Sequence, residues 1–110
     1  METSKMRTYL GFCIRARKIV FGSEMISRQK KGVYLLLADG GIGKSSFKPV
    51  VAASERFGCP IVMTDAEALG ELLSRPAVKA VAITDKNLAS AILSVVGSDS
   101  QFKLYSGGTN

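Results

Sequence analysis

The chain has no histidine anywhere in its 110 residues. That removes the side chain most often used as a general base near neutral pH and the commonest nitrogen ligand for transition metals. Cysteine is scarce as well. Cys13 and Cys59 are too few for a disulfide framework, and with no secretion signal in view they read as reduced, buried thiols. No apolar run approaches the roughly 18 residues of a membrane span. The opening "METSKMRTYLGF" has no long apolar stretch followed by a small-residue cleavage site. These absences predict a cytoplasmic protein with no membrane partner, no metal and no cofactor, and nothing in the pattern requires an enzyme.

Acidic residues are thin in one half only. Residues 1–50 carry ten Lys/Arg against Glu2, Glu24 and Asp39, a balance of +7, while residues 51–110 carry five against six acids, a balance of −1. The whole excess of the +6 chain therefore belongs to its first half. A one-sided basic field attracts polyanions, and nucleic acid is the commonest of these in the cytoplasm. The 46% hydrophobic content is that of a folded domain, and the length suits one core and not two.

Along the chain, Met6, Tyr9, Leu10 and Cys13 form a stripe that predicts a helix over 3–18, capped by Thr3 or Ser4. "IVF" (19–21), "VYLLLAD" (33–39), "PIVMT" (60–64) and "KAVAITD" (79–85) read as four strands. Helices are predicted over 23–31 with Ser23 as cap, from Pro49 to Phe57, from Asp65 to Leu73, and over 87–96. Alternating strands and helices imply an α/β fold, a three-layer α/β/α sandwich around a small mixed four-stranded sheet. One domain over 1–97 and a polar tail over 98–110, frayed at "GGTN", are expected.

Two motifs compete for the function. "ADGGIGKS" (38–45) follows the phosphate-loop pattern except that Ala38 replaces the first glycine. Lys44 would reach phosphate oxygens, Ser45 would ligate a metal, and Asp85 could serve as the metal-binding strand end. Against this, the chain is short for a nucleotide-binding core, the loop follows the second strand, and Pro49 suggests a later helix start. The other motif is "VFGSEM" (20–25), where a strand meets a helix between the basic runs "RARK" (15–18) and "RQKK" (28–31). Backbone N–H groups at such a junction suit an anion, with Arg28 one turn on, and Gly22 permits close approach. Read from its own residues, the junction is equally an ordinary turn on a solvated basic face.

The segments "LGFCIRARKIVFGSE" (10–24), "YLLLAD" (34–39), "LG" (69–70) and "VAITD" (81–85) together resemble the ribosomal protein L-seven-Ae superfamily, in particular its small bacterial YlxQ-like branch. The resemblance implies an RNA-binding protein whose partner is a kink-turn or other structured RNA, ribosomal or messenger, in the setting of translation. It assigns Gly22, Ser23, Glu24 and Arg28 to the bent RNA loop, and Arg15, Arg17, Lys18, Lys30 and Lys31 to phosphates. Arg75, Pro76, Ala77 and Val78 would cover an extruded base. Where well-known members carry Asn, Glu and Lys at the helix start, this chain has Glu24, Met25 and Arg28. A non-catalytic protein-interaction module is a further possibility for the same fold.

Overall fold

The structure is a computed structural model and describes residues 2–98 and 100–105. Its elements in chain order are α1 (Glu2–Arg15), β1 (Ile19–Phe21), α2 (Ser23–Ser27), β2 (Leu35–Asp39), α3 (Lys44–Phe57), β3 (Ile61–Thr64), α4 (Ala68–Leu73), β4 (Ala80–Ile83), α5 (Lys86–Val96) and β5 (Phe102–Leu104). The sheet order is β1-β4-β2-β3-β5, with β2 and β3 parallel and the other pairings antiparallel. The fold is therefore α/β with a mixed sheet, as expected, but the sheet has five strands and not four.

The additional strand comes from the segment expected to be a polar tail. Phe102 is buried and pairs opposite Thr64, while Lys103 and Leu104 are exposed on the sheet's edge. The other edge is β1, and each edge strand is three residues long. The expected frayed end, residues 107–110, lies outside the described residues.

Strand side chains alternate between two cores, as the period of two requires. Leu35, Leu37, Val81 and Ile83 pack with Met6, Leu10 and Cys13 of α1, with Leu69 and Leu72 of α4 and with Ile92 of α5. Leu36, Ala38, Ala80 and Ala82 pack on the other face with Ile26 of α2 and with Val50 and Ala53 of α3. The alanines of β4, Ala80 and Ala82, share this core with Ile26 of α2. Among the described residues no helix is long and apolar enough to cross a membrane.

Helix boundaries depart from expectation in four places. Helix α1 ends at Arg15, because Lys18 N donates back to Cys13 O at 2.8 Å and Arg17 takes a left-handed φ of 58°. Helix α2 ends at Ser27, not Lys31, and its cap is Gly22 in place of Ser23. Helix α3 opens at Lys44 and holds Pro49 inside it. Proline has no N–H to give the Ser45 carbonyl, yet the first turn forms regardless, since Phe47 N donates to Gly43 O at 3.0 Å. Helix α4 opens at Ala68 and not at Asp65, because Glu67 ahead of it takes a left-handed φ of 69°.

Candidate nucleic-acid interface

Because β4 runs antiparallel to both β1 and β2, the finish of those two strands and the start of β4 share one end of the sheet. Gly22 N donates to Ala80 O at 2.8 Å there, which brings the β1–α2 junction against the segment entering β4. Between them lies a cleft of about 480 Å³, with Gly22, Ser23, Glu24 and Met25 on one wall and Ala77, Val78 and Lys79 on the other.

Each residue of the first wall has a local reason for its position. Gly22 has φ 91° and ψ 148°, a conformation that L side chains rarely adopt. A Cβ built there meets nothing within 4 Å, so the backbone angle demands glycine, not the close approach expected from the sequence. Ser23 does not cap α2: its hydroxyl donates to Ser46 O of α3 at 2.5 Å and fastens the two helices. Glu24 and Arg28 face solvent and pair with each other at 3.0 Å. Such an exposed pair contributes at most about 1 kcal/mol, so either partner can exchange it for a ligand. Met25 is 46% exposed, an apolar surface at the mouth of the cleft.

The second wall is held by α4. Ser74 takes a left-handed φ of 57°, Arg75 N donates to Gly70 O at 2.8 Å, and Val78 N donates to Arg75 O at 3.0 Å. Gly70 is the contact surface: a Cβ there would lie 2.9 Å from both Arg75 O and Pro76 Cα. The Arg75 guanidinium lies 4.4 Å from the centre of the Phe21 ring and so reaches across to the first wall. Pro76 faces a separate depression lined by Asp65, Glu67, Lys79 and Gln101.

Asp39 closes β2 at this end of the sheet, next to the second wall through Lys79, and its side chain is fully buried. Its Oδ2 accepts from Gly41 N and Glu67 N, each at 2.8 Å, and its Oδ1 accepts from Leu69 N at 3.1 Å and Thr64 Oγ1 at 3.3 Å. Lys79 Nζ stands 3.6 Å from Oδ2. Burial alone would push this carboxyl up, but the N–H groups of Glu67, Gly41 and Leu69, with the charge of Lys79, outweigh it and hold the group below the usual carboxylate value.

The same geometry bears on the phosphate-loop motif. The helix does start at Lys44, so one expected objection disappears. However, Gly41 N and Ile42 N both point at Asp39, to its carboxylate and its carbonyl, and not outward to a phosphate. Asp85 follows the far end of β4, at the opposite end of the sheet from Lys44, and its carboxylate caps α5 by accepting from Leu88 N at 2.9 Å. Lys44, Ser45 and Asp85 thus do not meet. Cys13 is fully buried in the core, where burial, with the Asp85 charge nearby, pushes its thiol up to about 11 and disfavours the thiolate.

The sequence-predicted contacts divide. Gly22, Ser23, Glu24, Ala77 and Val78 meet in the cleft, and Arg28 and Arg75 reach its rim through Glu24 and Phe21. Arg15, Arg17, Lys18, Lys30 and Lys31 are at the opposite end of the sheet, where β1 and β2 begin: Thr84 N donates to Lys18 O, and Tyr34 N donates to Ile83 O. Sequence reasoning misses Lys79 and the Asp39 hub. The signal for Lys79 is no more than a lone cation immediately before an apolar strand.

No protein-family model matches the chain, and no curated protein matches it. Among solved structures it is similar to a Bacillus halodurans protein of unknown function, with a TM-score of 0.72 and 18% identity over 83% of this chain and 95% of that one. At that identity the likeness concerns the fold.

Proposed function

We propose that this chain binds structured RNA, a kink-turn or similar bent loop, through the cleft residues that its resemblance assigns to such a loop, in the cytoplasm and in the setting of translation. The observation that carries the reading is the cleft. Residues 22–24 and 77–78 are far apart in sequence, and the resemblance assigns them to two contacts on one RNA motif. They line the same opening.

The chemistry of the cleft suits a distorted RNA loop. Regular A-form RNA buries its base edges in a groove too narrow for side chains, whereas a bent internal loop presents them. Glu24 can accept from a guanine edge, Arg28 offers a planar donor fork, and Met25, Ala77 and Val78 provide an apolar surface for an unstacked base. Lys79 lines the same cleft, its charge partly offset by Asp39 3.6 Å away.

Fluorescence anisotropy at about physiological salt tests this, comparing a kink-turn hairpin with the same hairpin lacking its G·A pairs. Preference for the intact motif by tenfold, about 1.4 kcal/mol, is expected. The exposed Ala77→Glu variant should abolish that preference. Absence of binding to either hairpin at reduced salt would overturn the proposal.

A further inference from the structure

The end of the sheet remote from the cleft carries most of the chain's excess charge. Arg15, Arg17 and Lys18 form the turn from α1 into β1, and Lys30 and Lys31 lie in the connection from α2 to β2. Arg56 in the last turn of α3 donates to Gln29 O at 3.3 Å, which draws that cation to the same connection. Lys86 opens α5 just past the far end of β4. All of these are exposed.

Few carboxylates balance them. Asp85 is there but is committed to the α5 cap, and Glu55 lies in the last turn of α3. The ion pairs among the described residues are Arg28–Glu24 and Lys79–Asp39, and neither involves this end. The cleft end, by contrast, brings together Asp39, Asp65, Glu67 and Glu71 with its cations. Folding has therefore sorted charge along the strand direction. Crowding like charges at one end costs stability unless a partner of opposite sign is present.

We infer that this basic end is a second RNA-contact surface, so that one molecule can hold two RNA segments at opposite ends of its sheet. The partner chemistry is a phosphate backbone and not a single small anion. The cations come from separate chain segments on a molecule 26 Å across its shorter axes, forming a field and not a pocket. A field of this kind matches the repeated charges of a polymer, read without base specificity. Tyr34, 43% exposed at the start of β2, adds a ring able to stack at this end. That the polymer is RNA rests on the reading of the cleft. That the two surfaces are separate rests only on the strand register.

The test uses the full chain with two labelled RNAs, a donor-labelled kink-turn hairpin and an acceptor-labelled plain duplex. The wild-type protein is expected to bring them together and produce energy transfer. Lys30→Glu with Lys31→Glu, two exposed changes, should weaken duplex binding tenfold or more and remove the transfer, while the hairpin's preference for intact G·A pairs persists. Ala77→Glu should do the reverse, losing hairpin preference and keeping the duplex. Circular dichroism establishes that both variants fold. Unchanged duplex binding in the lysine variant, equal loss of both RNAs, or failure of the wild type to bind duplex at low salt each overturns the inference. If the duplex responds as expected while the hairpin shows no preference, the reading of the cleft has failed and the basic surface stands.

Discussion

At the level of single side chains, Asp39 ties three loops of the cleft end to one carboxylate: the turn after β2, the turn before α4, and Lys79 ahead of β4. Its folded-state pKa lies below the usual value, so its contribution to stability is complete above the unfolded value of about 3.9 and is lost as pH falls through the folded one. Asp39→Asn should therefore be destabilised at neutral pH by about 1–3 kcal/mol, because the buried donors of Gly41, Glu67, Leu69 and Thr64 lose their charged acceptor. Urea unfolding as a function of pH checks this, because the gap between wild type and variant should narrow below about pH 4. The sequence shows an aspartate closing an apolar run, but its donors lie 28 and 30 residues away, beyond what local pattern conveys. Gly22 is legible as special, though for a different reason than the one the structure gives. Arg17 offers a complementary measurement. Its φ of 58° favours glycine, so Arg17→Gly should raise stability by up to about 1 kcal/mol in thermal unfolding while weakening duplex binding.

Among the elements, the apolar runs of β2, β3 and β4 are legible because buried central strands are continuous in hydrophobicity. Strand β5 is not, since "QFKLY" is a brief alternation flanked by serine and glycine. Its place depends on pairing with β3, which sequence periodicity does not encode. Phe102 nevertheless belongs to the core beside α5. Phe102→Ala should cost about 3–5 kcal/mol, measurable by urea unfolding, and a cost below about 1 kcal/mol would mean that β5 is not an integral strand. The helix expected over 23–31 is too long for a related reason. The basic residues after Ile26 are compatible with helix or loop, and the left-handed Gly32 ends the choice in favour of the loop. Helix α4 has a different lesson: "LG" is recognisable as a motif, while the reason for Gly70 becomes visible only once Pro76 is seen against it.

For the whole molecule, the sequence conveys how much positive charge there is and in which half of the chain. It does not convey where that charge goes. Residues 15–18 and 22–24 are neighbours in the chain, yet a three-residue strand carries them to opposite ends of the sheet. A single extended strand of that length is enough to split one basic stretch of sequence between the two ends of the sheet. The short edges have another effect. A protein that gathers on RNA reaches high local concentration, where exposed strands tend to recruit one another into shared sheets. Strands β1 and β5 offer only three residues each, and β5 presents Lys103 outward. Neighbouring copies brought close together, by whatever partner, are therefore given little template for amyloid-like growth.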